Sequence, residues 1–184
     1  VRLLRNVMGL WILSETIRGW EAAGHTIELA ALLSAARDVP ARGVPVFDVD
    51  DPRFLPPGDM IARIDAWCEE HNLPAPRTQA EYARSIIESL ATAFAATAHT
   101  AADLAGTSLS VIHIVGGGAL NELLCQRTAD LAGVPVVAGP VEATALGNLL
   151  VQARAAGIVT GSLESLRDII SRTQRPRRHL PTGR

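Results

Sequence analysis

The sequence predicts an α/β protein, rich in helix and carrying a small parallel sheet. Apolar residues recur at helical spacing through most of the first hundred positions, and the last third alternates strand-like with helical segments. The length of 184 residues, with 48% hydrophobic and 20% charged side chains, supports one folded domain with some spare length, or one lobe of something larger.

The elements follow in order. Val7, Leu10, Trp11, Leu13, Ile17 and Trp20 mark an amphipathic helix over about 5–23, with Gly24 as its stop. A second helix is expected over about 26–37. Between Pro40 and Gly58 the chain turns irregular: Val44 to Phe47 reads as extended, and a cluster of Asp, Pro and Gly reads as a long loop across a surface. Helix resumes over about 58–71, then Pro74 and Pro76 break it. Thr78 and Glu81 are spaced as a capping box for the longest helix, whose stripe of Tyr82, Ile86, Ile87, Leu90, Phe94 and Ala98 runs to Gly106.

Val111 to Val115 then reads as a buried strand, Gly116 to Gly118 as a turn, and Asn121 to Ala132 as a helix. Val134 to Val137 makes a second strand, Glu142 to Ala156 another helix, and 162–172 a last one. This order implies parallel strands, although two strands make too small a sheet to bury both faces. The run Arg175, Pro176, Arg177, Arg178 reads as a solvated basic tail.

Composition excludes several functions. All 17 basic residues are Arg, so neither a P-loop lysine nor a lysine Schiff base is available. The net charge of -2 argues against nucleic acid as a partner. No apolar stretch is long enough for a membrane helix. Cys68 and Cys125 form no CxxC pair and His25, His71, His99, His113 and His179 form no ligand spacing, which predicts reduced thiols, no metal site and a cytoplasmic setting. The first residues show neither an initiator Met nor a signal peptide, so an internal piece of a longer protein is expected.

The strongest local signal is Val111-Ile-His-Ile-Val-Gly116-Gly117-Gly118-Ala-Leu-Asn121. Three glycines at the carboxyl end of a strand let a ligand approach the backbone with no Cβ in the way, where open α/β sheets bind nucleotides. A strand-to-helix turn that needs only positive φ is the plainer alternative. A dinucleotide fingerprint also competes, but Asn121 occupies its third glycine position and no acid ends the following strand. Glu142 complements a helix dipole, His113 reads as a strand histidine, and Trp11 and Trp20 as core.

Three blocks together carry a family resemblance: Asn6-Val-Met-Gly-Leu-Trp-Ile-Leu, Val115-Gly-Gly-Gly-Ala-Leu-Asn121 and Ala138-Gly-Pro-Val-Glu-Ala-Thr-Ala-Leu-Gly-Asn148. In this order they resemble the C-terminal domain of FGGY-family carbohydrate kinases, nearest to the rhamnulokinase branch, over about residues 1–171, leaving 172–184 as the tail. The resemblance implies the actin/RNase H-like ATPase fold, here as a C-terminal lobe truncated at its N-terminus. It also implies ATP with Mg2+ as cofactors, and phosphoryl transfer to a sugar such as L-rhamnulose.

By the family pattern Gly117 packs against the adenosine of ATP, and Gly116, Gly118 and Asn121 shape that pocket. Ser14 falls where members of the branch can carry a longer glutamine near the nucleotide, and Asn6 matches a sugar-contacting asparagine. The catalytic aspartate is expected upstream, in an N-terminal kinase lobe that is the implied partner. Some relatives carry paired cysteines around the positions of Ile61 and Ser85, and this chain has none there. A non-catalytic binding or interaction module of the same fold and a nicotinamide-dependent dehydrogenase are the rival readings. The chain alone is expected to be inactive as a kinase and to associate with itself through its exposed surface.

Overall fold

A 27-residue helix, α4 (Gln79–Ala105), organises the first half of the chain. The computed structural model describes residues 3–183, so the outer ends of the expected 1–171 domain and 172–184 tail fall outside the described residues. The chain divides into two compact units, Val1–Ser108 and Leu109–Arg184.

In the first unit α4 starts as its sequence requires. The Thr78 hydroxyl accepts the Glu81 amide at 3.2 Å, and the Glu81 carboxylate accepts the Thr78 amide at 3.1 Å, forming the expected capping box. It ends at Gly106, whose φ of +64° closes the last turn. Around it lie α1 (Trp11–Ala22), α2 (Leu29–Asp38) and α3 (Met60–Glu70), with α2 and α1 packed on α4 and α1 on α3. Ile12, Phe54, Met60, Ile64, Ile86, Ile87 and Leu90 are fully buried between them. The expected start at residue 5 is corrected: α1 begins at Trp11, because Asp50 captures the Met8 amide at 2.9 Å and pairs with Arg5 at 3.2 Å.

Val44 to Phe47 forms no strand. Two serines on α4 satisfy it instead, the Ser85 hydroxyl donating to the Pro45 carbonyl at 2.6 Å and the Phe47 amide donating to Ser89 Oγ at 3.0 Å. That anchors Phe47 against Phe54, with ring centres 4.9 Å apart. Arg84 and Glu88 form a buried ion pair at 2.8 Å, and Arg84 also donates to the Ala36 and Arg37 carbonyls, closing the end of α2.

The second unit is a three-stranded mixed sheet with helices α5 (Glu122–Ala132), α6 (Ala143–Ala155) and α7 (Leu163–Gln174). Strands β1 (Ile112–Ile114) and β2 (Val136–Ala138) run parallel, with Ile112 opposite Val136. The arginine run departs from a solvated tail. β3 (Arg177–His179) pairs antiparallel with β2, Val136 opposite His179, so the backbone is bonded while the Arg177 and Arg178 side chains stay exposed. Cys125, Ala129, Val136 and Ala138 form the small core, with Ile112, Ile114 and Ala119 against it.

Candidate functional site

β1 delivers the chain into a tight 3-10 turn, Gly116–Leu120, that runs directly into α5. The end of the strand is tied to the loop after β2: the Gly139 amide donates to the Ile114 carbonyl at 2.8 Å, and the Gly116 amide to the Pro140 carbonyl at 3.4 Å. Gly116 has φ +75°, a conformation that disfavours any Cβ. Gly117 is different. It is exposed, its φ is ordinary, and a Cβ built there would meet no atom within 4 Å. A Cβ at Gly118 would lie 3.6 Å from Ile114 Cγ2, an ordinary contact.

Asn121 is buried and caps α5, its Oδ1 accepting the Leu124 amide at 3.0 Å while its carbonyl accepts the Cys125 amide at 3.0 Å. Behind the turn, burial pushes the Cys125 thiol up to about 11, which keeps it protonated and inert. The turn therefore presents a bare backbone face, backed by an apolar core and oriented by a helix cap. These features suit a flat ring lying on the backbone.

A cavity of 340 Å³ flanks the turn. Ala119 and Leu120 line it from the turn, Gly139 and Pro140 from the loop, and Arg175 and Arg177 from the segment after α7. Arg177 pairs with Glu122 at the first turn of α5. The sequence does not foretell either arginine beside the turn, because a short basic run carries no strand alternation and no motif.

The structure brings Gly116, Gly117, Gly118 and Asn121 into one turn, as their spacing demands. Ser14 and Asn6 belong to the first unit. Ser14 is exposed on α1, and Asn6 is exposed in the segment ahead of that helix. Glu142 stands at the start of α6 without a side-chain cap bond, and His113 is exposed on β1. Trp20 is core, whereas Trp11 lies half-buried under the Arg18 guanidinium at 5.4 Å. Cys68 and Cys125 are both free and buried. No helix among the described residues is long and apolar enough to cross a membrane.

Comparison with known proteins places this architecture. The crystal structure of xylulose kinase from Rhodospirillum rubrum superposes with a TM-score of 0.57 at 22% identity, covering 94% of this chain and 32% of that one. The fold is that of an actin/RNase H-like C-terminal lobe. A model of the FGGY family of carbohydrate kinases, C-terminal domain, matches residues 1–156, and the chain belongs to that family. A rhamnulokinase from Enterococcus faecalis is 42% identical over 172 residues, 90% of this chain. The chain spans 32% of that relative's length.

Proposed function

We propose that the chain is the nucleotide-binding part of an ATP-dependent kinase that converts L-rhamnulose to L-rhamnulose 1-phosphate. The observation that carries this reading is the bare face at Gly117, where a Cβ would meet nothing within 4 Å at the carboxyl end of a parallel strand. The 42% identity to a rhamnulokinase supports the choice of sugar.

In this reading adenosine lies on Gly117, with Gly116 and Gly118 keeping the approach clear and Asn121 fixing the turn. Ser14 and Asn6 keep, on the family resemblance alone, the nucleotide and sugar roles that the sequence assigns them. The sugar hydroxyl oxygen attacks the γ-phosphorus in line, the bond from that phosphorus to the β–γ bridging oxygen breaks, ADP leaves, and the hydroxyl proton passes to an aspartate of the N-terminal lobe. Mg2+ bound with the nucleotide would supply neutralisation of phosphate charge. Two buried free thiols fit a cytoplasmic enzyme.

Gly117→Leu tests the site cleanly, because the backbone there is unstrained and the space is open. In the full-length kinase the variant should fold and raise the KM for ATP at least about tenfold, leaving the KM for sugar unchanged, as a side chain would occupy ligand volume. An unchanged KM for ATP removes the site. Titration of the unmodified protein with ATP against NAD separates the kinase from the dehydrogenase reading.

A further inference from the structure

One face of α5 is laced to the end of the chain. Glu122, Gln126 and Asp130 are spaced four residues apart and so share that face. Glu122 pairs with Arg177, and Gln126 Nε2 donates to the Leu180 carbonyl at 2.7 Å. Asp130 Oδ1 accepts both the amide and the hydroxyl of Thr182, at 2.9 and 2.8 Å. On its other side the same segment is paired to β2 through Arg177–His179. Residues 177–182 are thus held by a sheet edge and by a helix at once. They lie beyond residue 156, where the match to the family model ends.

The rung nearest the glycine turn is Glu122 with Arg177. Glu122 directly follows Asn121, whose side chain caps α5 and whose amide donates to the Gly118 carbonyl at 3.1 Å. The strap therefore touches the end of α5 from which the glycine turn hangs, and its Arg177 also lines the flanking cavity. We propose that the 177–182 strap is a positioning device for the glycine turn, with Glu122, Gln126 and Asp130 acting on it through Arg177, Leu180 and Thr182. That the ligand so positioned is ATP rests on the function proposed above, but the mechanical claim does not.

Residue-resolved amide exchange on the ligand-free 184-residue protein decides the matter. In Asp130→Ala and in Thr182→Val, the bonded amides of Gly116, Asn121, Leu124 and Cys125 should exchange about tenfold faster or more, while those of β1 and α4 keep parent rates. Thr182→Ser, which keeps the hydroxyl, should restore parent protection. Parent rates at the turn in Thr182→Val would overturn the proposal, and so would an equal loss of protection across β1 and α5, which marks a general stability role. If Asp130→Ala fails to fold, Thr182→Val alone decides by the same criteria. ATP affinity, measured separately, should weaken several-fold in the variants. A parent protein that binds no ATP would count against the nucleotide reading alone, since the exchange pattern is read without ligand.

Discussion

Adjacent glycines in the turn carry different burdens. Gly116 holds φ +75°, where an L side chain clashes with its own backbone, whereas Gly117 sits at ordinary dihedrals facing open space. Gly116→Ala should therefore cost about 1–2 kcal/mol of stability in the second unit. Gly117→Ala should stay within about 0.5 kcal/mol of the parent. Urea unfolding followed through the amides of β2 measures both, and equal losses would show that the turn tolerates no side chain at either position. The contrast also explains why Gly117, and not Gly116, is the residue to enlarge when ligand binding is the question. In the first unit Arg84 and Glu88 pose the opposite problem, two charges held together out of water at 2.8 Å. Glu88→Ala would leave the guanidinium buried with only carbonyl partners, a change that should cost about 3–5 kcal/mol. The Arg84→Met, Glu88→Leu double variant should recover most of that loss, because no unpaired charge remains. Thermal unfolding of the three proteins tests it, and a double variant as unstable as the single one would show that the bonds to Ala36 and Arg37 matter more.

The elements differ in how plainly their sequences announce them. α4 was legible twice over, from the stripe of Tyr82, Ile86, Ile87 and Leu90 and from the capping pair Thr78 and Glu81. The parallel strand pair and the glycine turn were legible from apolar runs and punctuation. The start of α1 was not, because what stops it at Trp11 is Asp50, more than forty residues away, binding Met8. β3 was hidden for another reason: Arg177, Arg178 and His179 show no apolar alternation, and only the waiting edge of β2 makes them a strand. That the glycines and Asn121 share one turn could be read from spacing, but that Arg175 and Arg177 line the cavity beside it could not. This strap should respond to acid in two stages. His179 is buried on β3 with Nε2 lacking a partner among the described residues, and burial, helped by the Arg177 charge, lowers its pKa below the ordinary 6.5. A folded-state pKa below the unfolded one gives stability that is complete above 6.5 and declines as pH falls through the folded value. Asp130 behaves likewise at lower pH. Burial pushes it up, but the Thr182 amide and hydroxyl, Gln126 and the Arg127 charge outweigh that and hold it below 3.8. Its contribution is complete above 3.8 and is lost as pH falls through the folded value. Exchange of the β2 amides against pH should show both stages, His179→Gln removing the upper and Asp130→Asn the lower. A flat profile from pH 7 to 5 in the parent would show that His179 titrates alike in both states.

At the scale of the whole molecule the question is whether 184 residues suffice for chemistry. The chain covers 32% of the rhamnulokinase and 32% of the xylulose kinase to which it is similar, and the proposed reaction needs a general base beside the sugar hydroxyl. The acidic stretch of the first unit is the natural place to look for one, yet its carboxylates have structural work. Asp48 accepts the Asp50 amide at 3.0 Å, and Asp50 holds Met8 and Arg5. Asp51 accepts the Arg53 amide at 2.9 Å and pairs with its guanidinium at 3.1 Å, contacts that hold its carboxyl below the ordinary range. A base must be basic enough to take a proton near neutral pH, and a carboxylate stabilised as an anion moves the wrong way. Without a positioned base and nucleophile the reaction forgoes roughly 7–11 kcal/mol of barrier lowering, so the isolated chain should bind ATP weakly and turn over no sugar. A coupled assay of ADP release with L-rhamnulose and Mg-ATP measures this directly, with ATP alone as the background. Sugar-dependent ADP release from the 184-residue protein would place the base within this chain. Asp48, the exposed member of the three, would then be the first to replace, and loss of turnover in Asp48→Asn with unchanged ATP affinity would identify it.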